Sequence, residues 1–196
     1  MAAPSIRAAV PDDAEEVERL RVAGWQAAYR GILPDDYLDR MRVDGERRRR
    51  HMIEQAAAAQ KAAAREAATR EGAAGGRAAP AVVVESVAVQ ANAIVGWVVG
   101  GRCRDADRPG SQHGEIYAIY VLPEWWGRGA GRLLMAHAIR ALTEAGRSDI
   151  TLWVLEANQR ARRFYAAAGF SPDGSHQVLD RGGPVTEVRY RLLAGR

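Results

Sequence analysis

Within these 196 residues, the spacing that most plainly suits chemistry is Gly127-Arg128-Gly129-Ala130-Gly131-Arg132. Glycines at alternate positions let a backbone approach a ligand closely. A helix starting there would also aim its free amides and positive dipole end outward. Such a turn binds phosphate. Two phosphate loops are excluded by spacing: no Lys-Ser or Lys-Thr follows, as a Walker loop requires, and Arg132 in sixth place from Gly127 breaks the Gly-x-Gly-x-x-Gly dinucleotide pattern. Asn158 and Tyr165 stand seven residues apart. On a helix that is about 700°, near two whole turns, so the two share a face and can reach one ligand. Asn158 also suits a helix cap, and Tyr165 a core aromatic with a polar tip. A phenol with a pKa near ~10 can return a proton to a thiolate. Glu115, Tyr117, Ile119 and Val121 alternate, which predicts one shared strand face carrying a carboxylate.

Other chemistries are poorly supplied. Cys103 is the single cysteine, so no internal disulfide or cysteine metal site can form within one chain; flanked by Arg102 and Arg104, it reads as a lowered thiol or an inert loop residue. His51, His113, His137 and His176 lack zinc-ligand spacing, and no metal is expected. A net charge of +4 suits a polyanion, either nucleic acid or the phosphates of a nucleotide. The densest basic run, Arg47 to Arg50 with His51, spreads around a helix axis, and no aromatic interleaves with it to stack on bases. Nucleic acid is therefore not the expected partner. No stretch approaches the ~18 apolar residues of a membrane helix, and Met1 to Val10 has neither a basic leader nor an apolar run, so the expectation is no membrane and a cytoplasmic location.

The glycine turn resembles the acetyl-CoA pyrophosphate loop of the GCN5-related N-acetyltransferases (GNAT), whose pattern is Gln or Arg, two residues, Gly, one residue, then Gly or Ala. Gly129 and Gly131 match, while Trp126 stands where Gln or Arg is usual, which weakens one contact of the pattern. The likeness extends over Ser5 to Leu193 apart from an alanine-rich stretch, and includes Asn158, Tyr165 and the closing Gly169-Phe170. It implies an N-acetyltransferase that moves an acetyl group from acetyl-CoA, its co-substrate, to a primary amine of a small molecule by direct attack. The cofactor contacts it implies are the turn residues Gly127, Arg128, Gly129, Ala130, Gly131 and Arg132, the pantetheine track Ile119, Tyr120 and Val121, and Asn158. A backbone amide at or beside Val121 would hold the developing oxyanion. Tyr165 would face the sulfur as the acid, and Glu115 would take the amine proton directly or through a water. The acceptor would be shaped by Trp25, Tyr29, Gly31, Ile32, Leu33, Pro34, Asp35, Asp36 and Tyr37, which suits a cationic or polyamine-like amine. A homodimer is compatible with this reading. Two alternatives differ in class. Acetylation of a protein N-terminus or lysine is one, against which Trp153 stands where the ribosomal-protein enzymes carry a glutamate base; a noncatalytic acyl-CoA-binding module is the other, against which the intact Tyr165 counts.

The elements that must position these residues follow from patterning. With 47% apolar residues the chain can bury one core, which predicts a single domain over 1–196. Ser5 to Ala9 reads as a strand, and Asp12 three residues before Glu15 predicts a helix start whose buried face is Val17, Leu20 and Gly24, stopped at Gly31. A second helix follows Pro34, and a third starts near Asp44. Gln55 to Ala68 is nearly all alanine with helix formers and continues into a glycine-rich stretch, giving an alanine-rich insertion and flexible linker over 55–80. Ala81 to Val89 and Ala93 to Gly101 predict a hairpin, and Arg102 to His113 a loop. Glu115 to Leu122 and Asp149 to Leu155 predict strands, Gly129 to Glu144 and Asn158 to Ala168 helices. Pro184 to Leu193 predicts a last strand with Val188, Tyr190 and Leu192 on its one buried face. The expected fold is α/β, a GNAT-like mixed, mostly antiparallel sheet of six to seven strands flanked by helices.

Overall fold

The computed structural model describes residues 3–69 and 82–193. In chain order its elements are β1 (Ser5–Ala8), α1 (Ala14–Tyr29), α2 (Asp35–Asp39), α3 (Gly45–Thr69), β2 (Val82–Gln90), β3 (Ala93–Arg102), β4 (His113–Val121), α4 (Ala130–Glu144), β5 (Asp149–Leu155), α5 (Gln159–Ala167), β6 (Ser171–Asp180) and β7 (Pro184–Leu193). Among the described residues seven strands form one sheet in the order β1-β2-β3-β4-β5-β7-β6. Every pairing is antiparallel except β4 with β5. This is the expected mixed sheet.

Helices cover both faces. Val17 and Leu20 of α1 pack on Val87, Ile94 and Trp97 of the β2–β3 hairpin, whose turn places Ala91 and Asn92 at positive φ. On the opposite face Ala130, Leu134, Ala138 and Leu142 of α4 pack on Val84, Ala88, Val95 and Val98. The α1 start departs from expectation by one residue. Asp13, not Asp12, reaches back to the Val10 amide at 2.8 Å while pairing with Arg7, because a short turn at Pro11–Asp13 precedes the helix. The alanine tract continues the helix begun at Gly45, since strong helix formers give it no reason to stop. Residues 70–81, which hold most of the expected linker, lie outside the described residues. In the basic run, Arg48 turns inward to pair with Glu18 at 2.7 Å and lies 4.6 Å above the Trp97 ring, while Arg49 pairs outward with Asp12.

Two irregularities position the site. In β4, Val99 pairs with Ala118 but Gly100 with Ile116, so Tyr117 is an extra residue, a bulge. The bulge inverts the alternation: Ile116, Ile119 and Val121 all pack on the α4 side, whereas Ala118 and Tyr120 pack on the α1 side. The single face expected for Glu115, Tyr117, Ile119 and Val121 is thus broken, and Glu115, next to Ile116, points away from Ile119 and Val121. Further along, β4 and β5 pair only at His113, Gly114 and Glu115 with Asp149, Ile150 and Thr151. Beyond that they splay and a wedge opens.

The polar face of β7 is also more buried than expected. Arg189 is 5% exposed because the loop before β4 folds over it, with Asp105 at 2.9 Å and Asp107 at 2.8 Å, and Asp173 of β6 bonds its Nε at 2.7 Å. The strand β6 had no apolar run to mark it. Its first four residues are exposed at the sheet edge, and its register slips between Pro172 and His176 around Gly174.

Candidate active site

The wedge holds a cleft of about 450 Å³ lined by the β4 edge, the turn before α4 and one face of α5. Each wall has a local cause. Leu122 N–H donates to Val95 O at 3.0 Å, toward β3. Strand alternation then turns the backbone groups of Ile119 and Val121 the other way, into the wedge. After Pro123, the chain turns through Gly127 at φ +75° and Gly129 at φ +92°, left-handed conformations that strain any residue with a Cβ. Gly129 caps α4, and the first helical bond is Leu133 N–H to Gly129 O, so the amides of Ala130, Gly131 and Arg132 have no acceptor within the helix. An elongated polyanion fits such a cradle.

Asn158 and Tyr165 meet in this cleft, as their spacing predicts. Asn158 is the cap of α5, its Oδ1 accepting from Ala161 N at 3.0 Å, and among the described residues its Nδ2 donates to no protein group. Gly169 and Phe170 end the helix by returning amides to Ala166 O and Tyr165 O, both at 3.0 Å, which fixes the backbone beneath Tyr165. The Tyr165 ring is half-buried among Phe164, Phe170 and Tyr190, and its hydroxyl has no hydrogen-bond partner among the described residues. Burial, with smaller contributions from Tyr120 and the Glu187 charge, raises its pKa above the ordinary value assumed from sequence.

The remaining turn residues divide. Arg132 lines the cleft, but Arg128 lies 5.4 Å over the Trp125 ring outside it, and the Ala130 side chain is buried in the core, so any contribution of these two is through backbone. Trp126 is reused. Its indole Nε1 donates to Val121 O at 2.8 Å, and the Arg160 guanidinium stacks 3.6 Å above its ring, also lining the cleft. Where the sequence pattern lacks an arginine, α5 brings one. No local motif marked Arg160.

A second cavity of about 340 Å³ adjoins the cleft, sharing Tyr29, Ile119, Tyr120 and Tyr165 with it. Of the expected acceptor residues, Trp25, Tyr29 and Leu33 line it. Asp35 and Asp36 do not, being engaged on the surface by Arg30 at 3.1 Å and Arg40 at 2.7 Å. Trp25 Nε1 donates to Tyr120 Oη at 2.7 Å, fixing both rings. Glu115 is at the cavity but 2% exposed; it accepts the Arg104 amide at 2.9 Å and a second, guanidinium contact from the same residue. Missed by sequence reasoning were Gln177 and Glu187, which strand β7 and its neighbour β6 place opposite each other in this cavity. Cys103 is buried 3.5 Å from Thr151 Oγ1 with its thiol pKa raised by burial, the inert alternative. His113 lies 3.2 Å from Asp149, outside the lining of both cavities. Among the described residues no His, Cys, Asp and Glu group could hold a metal ion.

Comparison with known proteins places this geometry. The model of the acetyltransferase (GNAT) family matches residues 54–170, more than half of the chain. An uncharacterized N-acetyltransferase of Archaeoglobus fulgidus is 48% identical over 54 residues, 28% of this chain and 37% of that protein, so the match spans little more than a third of that relative's length. The uncharacterized N-acetyltransferase YuaI of Bacillus subtilis is 25% identical over 86% of this chain and 80% of its own. Among solved structures, YncA from Salmonella typhimurium, with its cofactor acetyl-CoA, superposes with a TM-score of 0.68 at 17% identity, covering 100% of this chain and 96% of that one.

Proposed function

The chain belongs to the GNAT acetyltransferase family, and from that premise we propose that it is an acetyl-CoA-dependent N-acetyltransferase acting on a primary amine of a small molecule. The observation that carries the reading is the junction of two walls: acceptor-free amides behind left-handed Gly127 and Gly129, and a bulged strand edge that splays from β5 beside them. In this reading the amides of Ala130, Gly131 and Arg132, with the Arg132 and Arg160 guanidiniums, hold the diphosphate against the turn at Gly127 and Gly129. The backbone of Ile119 and Val121, with the Asn158 amide, holds the pantetheine as an added strand, and Tyr120 closes the track toward the acceptor. Acetyl-CoA supplies the acetyl thioester.

The protein's own groups then have defined tasks. An alkylamine of pKa near ~10.4 is almost wholly protonated at pH 7 and must lose a proton before it can attack. A carboxylate bordering the acceptor cavity, Glu115 or Glu187, is positioned for that step. The Val121 N–H, turned into the wedge, is aimed to stabilise the developing oxyanion. Tyr165, kept protonated by its raised pKa, returns a proton to the sulfur. A cytoplasmic location goes with this reading; among the described residues no helix is long and apolar enough to cross a membrane.

Calorimetry with coenzyme A and a thiol-release assay with acetyl-CoA across polyamines, aminoglycosides, amino acids and short peptides test the proposal. Binding followed by release with at least one small amine is expected. No heat with coenzyme A rejects the cofactor site, and binding without release for any amine favours the noncatalytic module.

A further inference from the structure

Two carboxylates line the acceptor cavity, and their situations are opposite. Glu115 is held by Arg104, whose backbone N–H and guanidinium both donate to it, and it is 2% exposed. A carboxylate so engaged has its oxygens turned to Arg104 and not to a ligand in the cavity. Glu187 of β7 is half-buried, and its Oε2 accepts from Gln177 Nε2 at 2.9 Å. Among the described residues its Oε1 has no hydrogen-bond or ion-pair partner. Gln177 thus fixes one oxygen and leaves the other presented to the cavity.

Its placement matches the chemistry. Tyr29, Tyr120 and Tyr165 line the passage between the cavity and the cofactor cleft. The phenols of all three are raised, chiefly by burial, and each also feels the Glu187 charge. The other charged groups of the cavity are Arg104, already paired with Glu115, and Arg181, which lies 5.9 Å from the Trp25 ring.

Building on the acetyltransferase reading, we infer that Glu187, and not Glu115, is the catalytic residue that holds the acceptor amine and takes the proton whose loss lets it attack. The amine reaches the cavity as an ammonium, is held by Glu187 Oε1 and gives that oxygen one N–H proton. The neutral nitrogen then bonds to the thioester carbonyl carbon, and its second N–H proton passes to solvent. Tyr165 gives its phenolic proton to the sulfur freed when the carbon–sulfur bond breaks. Solvent returns that second proton to the Tyr165 phenolate and carries the first away from Glu187, so amide, free thiol and one released proton are the products and both residues end as they began.

The test compares wild type, Glu187→Gln, Glu187→Asp and Glu115→Gln. The readouts are coenzyme A affinity by calorimetry, calorimetric binding of the best amine from the panel to the coenzyme A-loaded protein, and turnover of that amine and of hydroxylamine, which is already neutral at pH 7. Glu187→Gln is expected to keep coenzyme A affinity within about twofold and to weaken amine binding about tenfold, the loss of one charge-assisted hydrogen bond. It should lower kcat on the amine about a hundredfold, with a much smaller loss on hydroxylamine, which needs less help from a base. Glu187→Asp, which keeps the charge, should regain at least about tenfold over the glutamine variant. Unchanged amine turnover, equal losses on both nucleophiles, a parallel fall in coenzyme A affinity, no recovery in the aspartate variant, or the selective loss appearing in Glu115→Gln instead would each overturn the assignment. Wild type that binds coenzyme A and turns over amine while Glu187→Gln is equally fast sinks Glu187 alone. Wild type that does neither sinks the acetyltransferase reading.

Discussion

The proposed cofactor wall and the proposed acceptor side of the wedge meet at Tyr165 but are made of different material. The first is backbone: two left-handed glycines, the first amides of α4 and an unpaired stretch of strand edge. The second is side chain, delivered by α1, β4, β5, β6 and β7 and secured from behind by buried charges. There Arg189 joins Asp105, Asp107 and Asp173, while Asp149 joins Arg191 and Arg108. Trp153 Nε1 donates to Asp105 at 3.0 Å, tying the loop before β4 to the cavity floor. A backbone-built site keeps its ligand so long as the chain path holds. A side-chain-built site can change its ligand without changing the fold, and for the same reason depends on every buried charge keeping its partner.

The largest effect should therefore come from breaking the charged support. Arg189→Ala leaves Asp105 without its cation and Asp173 with Arg108 alone, 4.0 Å away, which should cost about 3–5 kcal/mol of stability in urea unfolding. If the two regions are independent, the coenzyme A affinity of the folded fraction changes by less than about threefold. A joint collapse of both would show that the wedge is one unit. Next in size is Tyr165→Phe, at the boundary. Losing its proton should lower kcat about a hundredfold while leaving coenzyme A affinity nearly unchanged, and unchanged turnover would reject it as the acid.

The same contrast explains what could be read from the sequence. Gly127, Gly129 and Gly131, Pro123 before them, and Asn158 seven residues before Tyr165 are local requirements of backbone geometry, so they stand close together in the chain. The sheet and most helices follow from periodicity in the same way. The Tyr117 bulge has no local sign, because it depends on how β3 pairs, and it misdirected the strand-face argument for Glu115. Arg160 meets Trp126, and Glu187 meets Gln177, only through tertiary structure. The edge strand β6 needs no apolar alternation and carried none over its first half.

Smaller perturbations sharpen the cofactor side. Gly129→Val forces a Cβ into a left-handed conformation costing roughly 1–2 kcal/mol, which should weaken coenzyme A binding about tenfold with little change in kcat once the site is saturated. Affinity equal to wild type would mean that the turn does not hold the ligand. Trp126→Phe removes the indole bond to Val121 O and weakens the platform under Arg160. A loss of about 1 kcal/mol, near fivefold in coenzyme A affinity, is expected. An improvement instead would show that Trp126 blocks the β4 carbonyl from the ligand.

The smallest effect at neutral pH is the one that separates the regions by acid. Burial raises the Asp149 and Asp173 carboxyls, but Arg191 and Arg108 on the first, and the Ser175 amide and Arg189 on the second, outweigh it and hold both below the usual carboxylate range. A group whose folded pKa is depressed contributes its full stability above its unfolded value, about 3.9, and loses it as pH falls through the lowered folded value. The charged support should thus be intact from neutral pH down to about pH 4 and weaken below it, whereas the glycine turn contains no carboxylate to titrate. Hydrogen exchange, corrected for its intrinsic pH dependence, should show β6, β7 and the Trp153 indole losing protection before the amides of α4 as pH drops from about 5 toward 2. Loss of α4 protection first, or of both together, would mean that the buried arginine clusters do not set the acid limit of the acceptor side.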